Sequence, residues 1–558
     1  MSPKSRRGAK GKRRSNRNRE CGQEFMRTCC LSDFRRDDVE ETFRACFTAA
    51  QREHSPVKVV IPPGQYSFAP TVPIPLFSGL TVEAFGAEFR WPEKLGSPVH
   101  REMFKGVDVC DFHWSGGTFA GHVFDVPPAV PVWAPESCTR CIVIETTCGG
   151  RTRDLSFREI RGVDCSGSVV AVYGFLGSGD RPMTRAENVE VRNCRFERCG
   201  KFMWDYGWLW EKVVFPEHFT QEEIALGERY ASPENRSGGV RFHGDHITVD
   251  RMPVLRHEER HPFDTIAFYG NELPAGIRRG RCYFIVHEEN GKFFFSDVPG
   301  GAPIRTTPGA GGDSRLFRNL FTVFHWGYAP QDQGPGKGSL DVVGCRGLRV
   351  TDCELSANGD AMHIHSTSDV LFRSNRITGA RMGAFFLAFD CDHAVISDNI
   401  VDGTNGSRVL TVERGCRDVI ISGNIFTGGG RGCWFNENHG IVLADNIFRN
   451  NVQKGVPQYG AGRRSPFSGA FEAYPEIYFT DARKCYDNII MRGNTVEATE
   501  GNTQPSILFQ RHGSGIILED NILIGGTRQI SIAEGVDVQK SGNFGVAEYN
   551  RRSIPEAL

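Results

Sequence analysis

The sequence predicts an all-β solenoid, one column of stacked coils with an N-terminal capping helix and inserted α/β segments. Two observations predict it. An eight-residue phrase returns between residues 339 and 545 as LRVTDCEL, VLFRSNRI, AVISDNIV, VIISGNIF, IVLADNIF, IIMRGNTV, IILEDNIL and VQKSGNFG. Its sixth position is Cys353, Asn375, Asn399, Asn424, Asn446, Asn494, Asn521 and Asn543, at intervals of 22, 24, 25, 22, 48, 27 and 22 residues. A period of this size marks units that cannot bury an apolar face alone and must stack. The interval of 48 is either two coils or one coil with an insertion. The second observation is the alternation inside each phrase, whose strand period of two sends one set of side chains inward.

An Asn at each corner tolerates left-handed backbone. Its amide reaches both the turn and the next Asn, about 4.8 Å along the stack, so the repeat predicts an asparagine ladder. On these phrases the sequence resembles the right-handed parallel β-helix superfamily, the pectate-lyase-like fold of many polysaccharide lyases, glycoside hydrolases, epimerases and phage tailspikes. The resemblance implies a single-stranded right-handed parallel β-helix, an extracellular or cell-surface setting, and a polysaccharide or oligosaccharide partner. A leucine-rich repeat, the rival at this period, is set aside because its LxxLxL consensus is missing. Fold alone does not choose between enzymes and inert adhesins.

Composition agrees with a turn-rich β protein, at 39% hydrophobic residues with 64 glycines and 29 prolines in 558 residues. No apolar run approaches the ~18 residues of a membrane span, and none is predicted. Residues 1–19 hold nine Lys or Arg and no acid, leaving 57 basic against 67 acidic residues in the remainder. The basic stretch, taken as 1–33, cannot bury a core and reads as a disordered, solvated tail with at most nonspecific attraction to nucleic acid. No apolar segment of a secretory signal occurs in the first 35 residues, so the compartment stays undetermined. Of 18 cysteines, Cys194 and Cys353 occupy the ladder position, where a small thiol packs; most are expected to be reduced packing residues, and pairing is not read from the sequence.

Along the chain, 34–204 reads as a cap and the first coils. Asp37 or Asp38 caps a helix with Val39, Phe43, Cys46, Phe47 and Ala50 on one face, placed as a lid on the exposed end of the column. That helix, followed by VVIPPGQY and by DVCDFHWSGGTFAG, resembles the N-terminal cap of pectate-lyase-like enzymes. The spacing breaks over 205–338, an insertion region whose first part carries Trp204, Tyr206, Trp208 and Trp210 before a short helical pattern. About 265–318 reads as a small β module with a hairpin turning at Asn290-Gly291. Its LPAGI, YFIV and PGGAPI segments resemble a unit of phage-tail and bacterial surface proteins, which implies no activity. Regular coils fill 339–550, with a loop insertion at about 451–475 and a tail at 551–558.

The chemistry concentrates where AMHIH, AFFLAF, RVLTV and CWFNE align across consecutive coils. With Met362 and Ile364 inward, His363 and His365 project outward, and Glu437, two residues after Phe435, is expected on the same wall. Asp390 and Asp392 follow one strand and Glu413 and Arg414 the next, with Asp360 and Arg381 in the preceding turns and Tyr459 on the loop insertion. This gathers acid, base and cation. The catalytic candidates are His363, His365, Asp390, Glu413 and Glu437; the substrate-binding candidates are Asp360, Arg381, Asp392, Arg414 and Tyr459. Carboxylates one or two coils apart, about 5 or 10 Å, span the separations for retaining and inverting glycoside hydrolysis. A lyase instead uses a His or Tyr base, with an Arg neutralising a uronate carboxylate. The polygalacturonase motif set and the calcium-binding acids of pectate lyases are missing, so no metal or cofactor is assigned. The HExxH of His257 to His261 is bracketed by Pro253 and Pro262 and does not read as a zinc helix. Cys138 and Cys141 form a lone CxxC without a second pair. The reading is a polysaccharide-cleaving enzyme, with a non-catalytic carbohydrate-binding or tailspike-like surface protein as the alternative.

Overall fold

A computed structural model describes residues 26–547 apart from 54–55, 93–99, 122–137, 201–236, 253–264, 271, 280, 298–300, 311–313, 319–337, 358–359, 381–382, 404–407, 431, 453–473 and 481–484. The basic tail, the Trp204 to Trp210 segment, the HExxH stretch, Arg381 and Tyr459 lie outside the described residues. Each coil lays down three short strands, one in each of three long sheets of 15, 13 and 12 strands, here called first, second and third in the order the chain visits them. Pairing between coils is parallel throughout these sheets, and the register is kept residue for residue apart from shifts in the second sheet after Phe196 and after Leu355. Val350, Phe372, Ile396, Ile421, Leu443 and Met491 stack in the first sheet. Ile364, Leu387, Val412, Phe435 and Phe479 stack in the third. All of them are buried, so like side chains lie on like and the core is continuous along the column.

The ladder holds the corner between the first and second sheets. Asn399 Oδ1 accepts from the backbone N–H of Asn375 at 2.8 Å and from its Nδ2 at 3.2 Å, and Asn424, Asn446, Asn494, Asn521 and Asn543 repeat the pattern. Each Nδ2 also donates to a carbonyl one coil back, as Asn424 does to Ile396 at 2.9 Å. The left-handed backbone expected of the Asn belongs instead to the residue before it. Asp352, Ser374, Asp398, Gly423, Asp445, Gly493, Asp520 and Gly542 have φ of 57, 57, 57, 65, 55, 65, 54 and 65°. The small or Asx residue makes the sharp turn, which leaves the Asn free to aim its amide inward. Cys353 and Cys194 extend the column as buried thiols, and the Cys353 N–H donates to Asn375 Oδ1 at 2.9 Å.

At the corner between the third and first sheets a second column runs through Cys345, Thr367, Cys391, Cys416 and Asn438, all buried. The structure records fifteen free thiols among the described residues, ten of them buried. Burial pushes the Cys345 and Cys416 thiols well above the ordinary range, which holds them protonated and unreactive.

Both long interruptions leave and rejoin the column without a missing coil. Ala186–Arg192 pairs directly with Cys345–Thr351, and His439–Ala444 directly with Tyr486–Arg492, so the interval of 48 is one coil carrying an insertion. The small β module is larger than the sequence indicated. Its antiparallel sheet has seven strands and recruits Val240–Phe242 and Ile247–Val249, upstream of residue 265, around a core of its own. Its hairpin turns at Asn290 and Gly291, with φ of 50 and 75°, as the Asn-Gly pair requires. At the N-terminal end the helix Val39–Gln51 is capped by Asp38, whose Oδ1 accepts from the Glu41 N–H at 2.9 Å. Its Phe43 stacks on Phe68 at 4.9 Å and meets Phe104 edge-on at 5.9 Å, closing the core with aromatic surface.

Replacing Asn424 by Leu strands the Asn399 N–H and the Ile396 carbonyl inside the corner. The expected loss is about 2–4 kcal/mol, read as a lowered melting temperature and denaturant midpoint.

A second buried stitch is Glu476, whose carboxylate accepts from the N–H groups of Asn451 at 2.8 Å and Thr499 at 2.7 Å and from the Thr499 hydroxyl at 2.9 Å. Burial pushes it up to about 7, although these bonds pull the other way. The folded state therefore holds this proton more tightly than the unfolded chain, and the stability linked to it is present below about pH 4.5 and lost as pH rises through 7. Relative to Glu476→Gln, the wild type should lose about 3 kcal/mol between those limits in denaturant titrations.

Candidate functional site

The third sheet presents two outward rows. One runs Ala171, Asp341, His363, Phe386, Thr411, Trp434 and Tyr478, and the other Tyr173, Val343, His365, Ala388, Glu413, Asn436 and Thr480. Met362 and Ile364 are fully buried and both histidines point out, as the alternation requires. The centre of this wall is a residue the sequence reading passed over. Asp341 lies one coil before His363 in exact register with it, its side chain only 1% exposed, and its Oδ1 is 3.1 Å from His363 Nδ1. Its Oδ2 accepts from the Tyr173 hydroxyl at 2.9 Å. An ionised carboxylate has only acceptor sites, so a neutral imidazole bonded to it through Nδ1 carries its proton there and has Nε2 as its acceptor. Asp341 therefore holds the His363 ring from the preceding coil.

Tyr173 is held protonated. Burial raises its phenol well above the ordinary 10, and the Asp341 charge adds to this while Arg140 opposes it. Arg140 lies 5.8 Å from the Tyr173 ring centroid and pairs with Glu102 at 2.6 Å. Glu102 in turn holds Lys105 at 2.9 Å, so the polar network continues onto the preceding coils.

The remaining candidates divide between this wall and its edges. His365 stands beside His363, with ring centroids 5.6 Å apart, and packs on Phe389 at 4.0 Å. Glu413 shares the His365 row two coils on and is buried. Glu437 does not project from the strand: Cys433–Asn436 ends one residue earlier, and Glu437 turns the corner with a φ of 52°. Arg414, Asp390 and Phe389 turn the same corner, at 60, 56 and 54°. For a ring as large as Phe this is a costly conformation, and such strain gathers at functional sites. The exposed Arg414 guanidinium sits 4.4 Å from the Phe389 ring centroid and 3.5 Å from Glu413. Asp392 lies beyond the corner, opening a first-sheet strand and bonded to Arg417 at 3.2 Å, so it stitches coils rather than facing the histidines. Asp360 opens the strand Asp360–His365, paired with Gly338. Among the described residues no group of three or more His, Cys, Asp or Glu is placed to hold a metal.

The parallel coils, the inward ladder and the match of residues 333–471 to the right-handed β-helix region model define the chain as a right-handed parallel β-helix protein. Solved structures to which the chain is similar include the mannuronan C-5 epimerase AlgE6 A-module of Azotobacter vinelandii, at 10% identity and TM-score 0.49, covering 93% of this chain and 100% of that one. The adhesin PfbA of Streptococcus pneumoniae is similar at 11% identity and TM-score 0.42, covering 94% and 93%. A double-mutant tailspike of E. coli bacteriophage HK620, in complex with a pentasaccharide, is similar at 12% and 0.43, covering 93% and 67%. No curated protein sequence matches the chain significantly.

Removing the Asp341 charge should lower the Tyr173 phenol towards its ordinary range. Asp341→Asn is therefore expected to show one tyrosine ionising earlier in an ultraviolet pH titration, a transition absent when Tyr173→Phe is added.

Proposed function

We propose that the third-sheet wall binds a polysaccharide and cleaves its glycosidic bonds, with His363 as the proton-accepting base. The observation that carries this is the bonded set Tyr173, Asp341 and His363: a free imidazole nitrogen, oriented from behind by a buried carboxylate. Both Asp341 oxygens are engaged, which disfavours it as the water-activating or nucleophilic carboxylate of a hydrolase. The arrangement fits β-elimination better. There His363 takes the proton next to a uronate carboxyl group, the exposed Arg414 neutralises that carboxylate, and the electron pair forms the new C=C bond as the bond to the glycosidic oxygen breaks, the departing oxygen taking a proton from solvent. Glu413 and His365 then line the path of the sugar on neighbouring coils.

A second reading rests on Trp434. Its ring faces Arg408 at 3.9 Å and stacks on Tyr478 at an interplanar angle of 19°, an aromatic row of the kind that holds sugar rings without chemistry. Turnover separates the two. A glycan panel assayed for both reducing ends and the absorbance of 4,5-unsaturated products should give unsaturated product from a uronate polymer. His363→Ala should lower that turnover about 100-fold or more with the melt nearly unchanged. Binding across the panel with no turnover, or a His363→Ala variant as active as wild type, refutes the catalytic reading.

A further inference from the structure

We propose that Phe389 is a positioning residue that fixes the Arg414 guanidinium as the receptor for a sugar carboxylate, which makes the third-sheet wall selective for acidic glycans. The inference rests on the reading of that wall as a glycan-binding groove. Its starting point is a contrast between two corners of the coil. Where the first sheet turns into the second, the left-handed position from Asn193 to Gly542 holds only Asn, Asp, Ser or Gly. Where the third sheet turns into the first, the residue after the strand is left-handed in five successive coils. These are Gly344, Ser366, Phe389, Arg414 and Glu437, with φ of 65, 50, 54, 60 and 52°. The first two are small residues that suit such a turn. The next three carry large side chains, for which the same backbone is costly, and all three stand beside the row of His365 and Glu413.

The contacts of these side chains assign their task. The Phe389 ring lies between the His365 imidazole of the coil before, 4.0 Å away between centroids, and the Arg414 guanidinium of the coil after, whose Cζ is 4.4 Å from the ring centroid. An aromatic face attracts a guanidinium, and a long side chain held in this way has less freedom to lose when a ligand arrives. Glu413 meets Arg414 only through Nε, at 3.5 Å. Among the described residues the two Nη groups have no protein partner, and the Arg414 side chain is 53% exposed. A planar cation supported on one face, with donors still unengaged, matches a carboxylate, which accepts two parallel N–H bonds from one guanidinium. A neutral sugar presents a hydroxyl in the same place and cannot answer the charge. Without the ring, Arg414 would keep its charge but not its position.

Calorimetric titration of the full chain with galacturonate, glucuronate and guluronate hexasaccharides, each beside its carboxyl-reduced form, tests this. A His363→Ala background reads binding without turnover, so failure of the base assignment and failure of this inference come apart. At least one uronate hexasaccharide is expected to bind at least about tenfold more tightly than its reduced form. Phe389→Asn and Arg414→Gln should each remove most of that preference. The double variant should bind no more weakly than Arg414→Gln alone, since the ring acts through the guanidinium. Phe389→Tyr keeps the ring and should keep the preference. Phe389→Asn should also melt at or above its parent, because Asn tolerates the left-handed turn. Should that variant fail to fold, Phe389→Leu removes the aromatic face, keeps apolar volume, and should show the same loss of preference. A chain that binds no uronate better than its reduced form overturns this inference together with the uronate reading. A preference indifferent to the Phe389 variants, or losses that add in the double variant, overturns this inference alone.

Discussion

Every position on this molecule depends on one corner, where a left-handed residue is followed by an inward asparagine. The left-handed turn admits only residues that tolerate it, and Asp, Gly and Ser fill it at successive coils. The asparagine then ties its amide to the coil before and the coil after, which satisfies groups that would otherwise be buried without partners. Because these bonds join identical positions, a slip of one residue would break the whole corner at once. Register is thereby fixed along the column, and with it the face on which each side chain appears. The juxtaposition of Asp341 and His363 is a result of that registration.

Much of this was legible in the sequence because the ladder repeats. The spacing of Asn375, Asn399, Asn424 and their successors gave the coils, and the alternation around Met362 and Ile364 gave the outward histidines. The Asn-Gly pair announced a hairpin, and Asp38 a helix start. What escaped was whatever depends on contact between distant segments. Asp341 sits in a coil whose ladder residue is Cys353, at the edge of the strong repeat and directly after a long insertion. Its partner Tyr173 is 168 residues earlier in the chain, with that insertion between them. Aligning SLDVV with AMHIH would have set Asp341 beside His363, but nothing local marks Tyr173. Glu437 was misplaced for a different reason: alternation counts residues and does not see where a strand stops.

The two faces of the coil show how one backbone serves opposite ends. On the third sheet, outward positions hold acids, imidazoles and an arginine locked into hydrogen bonds, so the polar groups there are pre-oriented. On the first sheet, the equivalent row in the later coils holds aliphatic side chains with no polar atoms to orient. Both patterns cost the fold little, since the core is made by the inward set in either case. Chemistry on the outside can therefore vary row by row.

The direct pairing of strands across both interruptions has a further meaning for how such a chain diversifies. The chain departs from a corner and rejoins the column at the very next rung, so the stack is indifferent to what is spliced between. Segments of any length or ancestry can be exchanged at those two junctions, provided their ends meet within one rung. The antiparallel sheet of residues 240–318, with a core separate from the coils, has the character of such a cassette. What is spliced there can change over generations while the wall, and the ladder behind it, stay as they are.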